Sequence, residues 1–171
     1  VVSQALADLE RQGRGVLFNA IHRDADAKKA SKPIVEAMHG ALRMRAASKE
    51  RGTDSSIKYC LVTEKGPYNF MLNTELCKSN LWPGCEGFTE AIKVFDTILF
   101  YEDFGLPAII ERREKFQTWP ELWLKRIMAS LNSPFAETLV VDSDVYACTN
   151  FEDLFDDYLS DAEVAVTLAP A

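Results

Sequence analysis

The chain has 171 residues, enough for one domain of about 100–200 residues and too few for two well-separated ones. With 47% hydrophobic and 26% charged residues it has the balance of a globular domain, which excludes a disordered tail, a collagen-like rod and a disulfide scaffold. The net charge of −7 is unevenly spread: no Lys or Arg follows Arg126, whereas Glu137, Asp142, Asp144, Glu152, Asp153, Asp156, Asp157, Asp161 and Glu163 do. A binder of nucleic acid needs a continuous basic surface, so nucleic acid is set aside as a partner. No apolar run approaches the roughly 18–20 residues that cross a bilayer, so no membrane segment is expected within the chain. One domain over residues 1–171 is expected. It opens at Val1 and closes on an apolar run, Val164 to Leu168, which reads as a piece of something longer.

Short apolar runs alternate with segments of helical period, the pattern of a mostly parallel sheet covered by helices on both faces. The first run, Val16-Leu17-Phe18, predicts a strand. Pro33 then opens a helix over residues 33–48, with Ile34, Met38, Ala41 and Leu42 on one face, closing before Gly52. Ile57 to Val62 is the second strand. A short helix over Tyr68–Cys77 is followed by an irregular loop around Trp82-Pro83-Gly84, and Thr97 to Tyr101 is the third strand. Thr118-Trp119-Pro120-Glu121 reads as a capping box, and Leu124, Ile127, Met128 and Leu131 follow as an apolar stripe that ends near Asn132. Leu139-Val140-Val141 is the fourth strand, Asn150 caps a helix carrying Phe151, Leu154, Phe155, Tyr158 and Leu159, and Val164 to Leu168 is the fifth. Leu17, Leu61, Leu99 and Val140 are expected inside the sheet.

The remaining polar and aromatic features read as ordinary structure. Cys60, Cys77, Cys85 and Cys148 fit no metal or redox spacing and are expected as buried thiols, with a Cys77–Cys85 bridge open. His22 and His39 have no ligand partner at i+4. Glu64, Asp103 and the Glu111–Glu114 run are expected as solvated faces, and Trp82, Trp119 and Trp123 as core or lid packing.

Chemistry concentrates at Thr138-Leu-Val-Val-Asp142-Ser143-Asp144, where a strand ends in two carboxylates two residues apart. Both should emerge at the carboxyl end of a parallel strand, the side on which open α/β sheets bind ligands. Two such carboxylates suit a Mg²⁺ or Mn²⁺ ion that bridges to substrate phosphates. The competing reading is an Asx turn whose aspartates hold loop amides.

The run from Arg126 through Ser133-Pro134-Phe135 and Asp142-Ser143-Asp144 to Tyr146, continuing to Phe155, resembles the nucleotide-diphospho-sugar transferases of the GT-A glycosyltransferase superfamily. A looser similarity joins Gly15-Val-Leu-Phe18-Asn19 and the helix through Leu42-Arg43 to the same family. The resemblance implies a Rossmann-like GT-A sheet, incomplete at its C-terminus, that binds a nucleoside-diphosphate sugar and Mn²⁺ or Mg²⁺ and transfers the sugar to an acceptor it does not name. It further implies Asp144 and Asp142 as metal ligands, with Asp142 and Ser143 also beside the nucleotide. Phe18 and Asn19 would lie by the base, and Lys125 or Arg126 at the diphosphate. The catalytic base and a further metal ligand are expected beyond Ala171. It is compatible with the lumen of the secretory pathway for an anchored parent chain, and with the cytoplasm otherwise. Lys125 and Arg126 are about 100° apart on a helix, so one of them faces the crevice. Two other function classes compete: a haloacid-dehalogenase-like phosphatase, which also ends a strand in Asp-x-Asp and would use Asp142 as nucleophile, and a non-catalytic nucleotide- or protein-binding module, which would use the same sheet without metal chemistry.

Overall fold

The computed structural model describes residues 11–22, 26–52, 56–73, 75, 77, 87–104, 119–145, 147 and 151–159. Among them, β1 (Arg14–Ala20), β2 (Ile57–Thr63), β3 (Thr97–Phe100) and β4 (Glu137–Asp142) form a parallel sheet in the order β3-β2-β1-β4. β1 lies in the middle, with Val16 opposite Tyr59 and Leu139, Phe18 opposite Leu61 and Val141, and Asn19 opposite Val62 and Asp142. Its side chains from Val16 to Ala20 run without a polar break except Asn19, the composition of a strand covered on both faces.

Helices supply those covers. α1 (Ala27–Ala30) starts on Asp26, whose carboxylate accepts from the backbone of Lys28 at 2.8 Å. α2 (Lys32–Glu50) buries Ile34, Ala37, Met38, Ala41 and Met44 over Val16, Phe18 and Ala20. α3 (Lys65–Leu72) and α4 (Phe88–Ala91), the latter followed by a 3₁₀ turn over Ile92–Val94, join the same face through Phe70, Met71, Phe88 and Ile92. So does α6 (Asp153–Leu159), through Phe155. α5 (Trp119–Leu131) takes the opposite face, where Leu17, Ile21, Val62, Tyr101, Ala129 and Phe135 pack together.

The chain thus steps from β1 to β2 to β3 with its helices on one face, then passes back to β4 with α5 on the other. Reversing both the direction and the face keeps each crossover of one hand, as parallel sheets require. Gly15 permits close packing on the α5 face, since a Cβ there would lie 2.2 Å from the Phe135 ring. At the same amino end of the sheet, beside β3, Arg45 of α2 donates to the Val94 carbonyl at 2.9 Å and pairs with Asp96 at 2.7 Å. Asp96 also accepts the Tyr59 amide, tying α2 to β2 and to the turn before β3.

The α/β class, the parallel sheet and its first four strands agree with expectation, and five details differ. Leu42 is exposed, because the buried stripe of α2 follows Ile34, Ala37, Met38, Ala41 and Met44. The helix expected at Tyr68 begins at Lys65, since a proline in the first turn lacks only an amide that had no helical partner. Ile127 and Leu131 of α5 are 53% and 60% exposed, while Lys125 and Ala129 are buried in their place. Val140 is 41% exposed because β4 is an outer strand of the described sheet, with a neighbour on one side only. Cys60 is buried and free as expected, whereas Cys77 is disulfide-bonded. Cys85, Cys148, Thr118, Asn150, the Glu111–Glu114 run and the Val164 to Leu168 run lie outside the described residues.

Candidate functional site

β1 and β4 are neighbours in the sheet but belong to opposite directions of chain travel, so the topological switch point lies between them. In open α/β sheets the crevice at the carboxyl ends of such strands is the place for a ligand. Here Asn19 and Asp142 end the two strands side by side, and both line a cavity of about 720 Å³. Trp123, Arg126 and Ile127 of α5 form one wall, and Val145, Phe151 and Leu154 border it elsewhere.

Each polar group of the crevice is held differently. Asn19 is 3% exposed, and its Oδ1 accepts a 2.8 Å hydrogen bond from the Tyr101 hydroxyl. Burial, reinforced by the charge of Glu64, pushes the Tyr101 pKa up, so the phenol keeps its proton and remains a donor. That leaves the Asn19 amide nitrogen without a hydrogen-bond partner among the described residues, in a side chain that lines the cavity. Arg126 Nη1 lies 3.0 Å from Asp142 Oδ1 and 3.3 Å from Oδ2, and its guanidinium sits 5.4 Å from the centre of the Trp123 ring.

The turn that carries the two aspartates is seated on α2. The Val145 amide donates to the Asp142 carbonyl at 3.2 Å, closing a four-residue turn. Ser143 Oγ donates to Glu36 Oε2 at 3.4 Å, and Glu36 pairs with Lys32 one helical turn earlier. Four residues along the same helix, Gly40 meets the turn directly: a Cβ there would lie 2.6 Å from the Val145 carbonyl oxygen and 2.9 Å from the Phe18 ring. Asp144 is exposed and makes no hydrogen bond or ion pair among the described residues.

Of the residues singled out from sequence, Asn19, Arg126 and Asp142 thus meet at one cavity, with Ser143 and Asp144 on the adjoining turn. Lys125 and Phe18 do not join them. Lys125 is buried and pairs with Glu64 at 2.5 Å, the two side chains being 11% and 16% exposed. Glu64, expected on a solvated face, is therefore an internal partner, because the end of β2 lies beneath α5. Phe18 is wholly buried, its ring 5.8 Å from that of Phe95. Sequence reasoning did not find Tyr101, Glu36 or Gly40. The only local signal was a glycine in mid-helix, which is unfavourable there unless something must come close.

Among the described residues, no group of three or more His, Cys, Asp or Glu is placed to hold a metal. Asp142 and Asp144 offer hard oxygen ligands, and such a partial set fits Mg²⁺ or Mn²⁺, which keep waters and take further oxygens from substrate phosphates. No protein-family model, curated protein or solved structure matches this chain. Among the described residues, no helix is long and apolar enough to cross a membrane.

Proposed function

We propose that this chain is the donor-binding domain of a glycosyltransferase, taking a nucleoside-diphosphate sugar and Mn²⁺ or Mg²⁺ at the β1/β4 switch point. The observation that carries the reading is the convergence of Asn19, Arg126 and Asp142 on one cavity, beside a turn that presents Asp144 to solvent. Asp142 and Asp144 would hold the cation. When bound, the cation supplies Lewis-acid neutralisation of the nucleoside diphosphate that departs as the glycosyl bond breaks. Arg126 adds a guanidinium, whose planar fork matches phosphate oxygens. Asn19, oriented by Tyr101, offers an amide donor to an acceptor atom of the nucleotide. Lys125 neutralises Glu64 beneath the site and makes no ligand contact in this reading. The disulfide at Cys77 supports an oxidising compartment for the parent protein.

Titration calorimetry of the full chain with uridine, guanosine and cytidine diphosphates, in MnCl₂ or in chelator, tests the reading. Binding of at least one of them should require Mn²⁺, and Asp144→Asn should remove most of the difference with an unchanged circular dichroism spectrum. Metal-independent binding in both proteins would point to a binding module. Mg²⁺-dependent phosphate release with a covalent adduct on Asp142 would point to a phosphatase. Either result overturns the proposal.

A further inference from the structure

We propose that Arg126 is an exchangeable counterion: it occupies Asp142 while the cavity is empty and transfers to the ligand's anionic oxygens when a cation takes its place. The inference rests on the reading above and adds a coupling between its two ligands.

The two adjacent cations of α5 are held differently. Lys125 is locked, buried against Glu64 at 2.5 Å, and its release would leave a carboxylate in the interior. Arg126 is held loosely. One of its nitrogens, Nη1, reaches both oxygens of Asp142, and the two side chains are 34% and 48% exposed, so water replaces either partner at little cost. Nε and Nη2 make no hydrogen bond among the described residues, leaving most of the donor fork unused at the wall of the cavity. Trp123 gives the guanidinium a face to rest on in either position.

Both oxygens that Arg126 covers are ones a cation would need. A cation arriving alone must therefore compete with the guanidinium for Asp142, while Asp144 stays open. A diphosphate arriving with it changes the balance, because the displaced guanidinium gains a bidentate phosphate partner better matched to its geometry than the one-nitrogen contact it leaves. Each ligand then favours the other, and linkage requires the effect to be reciprocal. The other charges facing the turn, Lys32 and Glu36 of α2, are paired with each other at 3.2 Å and serve as fixed background.

The test is a double-mutant cycle on Mn²⁺ binding to the full chain without nucleotide, read from the electron paramagnetic resonance signal of free Mn²⁺. Arg126→Gln should tighten Mn²⁺ by about threefold to fivefold, the screened strength of so exposed an ion pair. The same substitution should weaken binding of the nucleoside diphosphate in the presence of Mn²⁺. In an Asp142→Asn background, Arg126→Gln should leave Mn²⁺ affinity unchanged, because the competed group is gone. An equal effect of Arg126→Gln in both backgrounds would show only a general field of positive charge and overturn the exchange, with the functional reading intact. A wild-type chain that binds Mn²⁺ neither alone nor with nucleotide overturns both. Circular dichroism of each variant separates loss of fold from loss of binding.

Discussion

Two helical glycines sit in opposite surroundings and should respond to alanine with opposite sign. Gly66, in the first turn of α3, has nothing within 4 Å of the position a Cβ would take. Gly66→Ala should stabilise the protein by about 0.5 kcal/mol, by reducing the freedom of the unfolded chain. Gly40 lies near the middle of the 19-residue α2, where helix propensity alone favours alanine by about 1 kcal/mol. Its Cβ, however, would lie 2.6 Å from a backbone carbonyl oxygen and 2.9 Å from a buried ring. Neither neighbour is the free end of a flexible side chain, so the helix and the Asp142–Val145 turn must separate by several tenths of an ångström. Forcing an atom into a packed site costs roughly 1–3 kcal/mol, which outweighs the propensity gain and leaves a net loss of about 1 kcal/mol. The two variants should therefore differ by about 1.5 kcal/mol, or roughly 3–6 °C in melting temperature for a domain of this size. Urea unfolding with unchanged m values measures the difference. Gly40→Ala as stabilising as Gly66→Ala would refute the seating of the aspartate turn on α2.

Two further outcomes follow from the burial of charged and titratable groups. Lys125→Ala removes a buried ion pair and should cost about 3 kcal/mol, whereas Arg126→Ala, at a half-exposed pair, should cost less than about 1 kcal/mol; equal losses in urea melts would contradict the division of roles on α5. Burial pushes the Cys60 thiol from its ordinary 9.0 up to about 12. Above pH 9 the unfolded chain releases this proton while the folded chain keeps it, so stability falls by about 1.4 kcal/mol per pH unit from this group until the folded thiol also ionises near 12. Cys60→Ala should lack that part of the slope, and the native thiol should resist alkylation at pH 8 until denaturant is added.

Local pattern carried much of the fold. Apolar runs bounded by helix-period segments are visible in Val16-Leu17-Phe18 and Ile57 to Val62, because a strand covered on both faces leaves little room for polar side chains, and in Leu139-Val140-Val141 of the half-covered outer strand β4. Asp142 and Asp144 were legible for the complementary reason: two carboxylates that break such a run must lie where the strand leaves the interior. Strand order was not legible, since it depends on contacts between distant segments. That order puts β4 beside β1, so that Asn19 and Asp142 end side by side and make a crevice out of two unrelated strand ends. The same long-range packing decided which neighbour on α5 faces inward. Helical spacing separates Lys125 from Arg126 by about 100° but is silent on which one lies over Glu64. It likewise left Ile127 and Leu131 indistinguishable from core residues, because a helix that overhangs an outer strand has the same period as one that covers the sheet centre. Gly40 is the sharpest case: one absent methyl group in a helix acquires its meaning only from a carbonyl oxygen more than a hundred residues later in the chain.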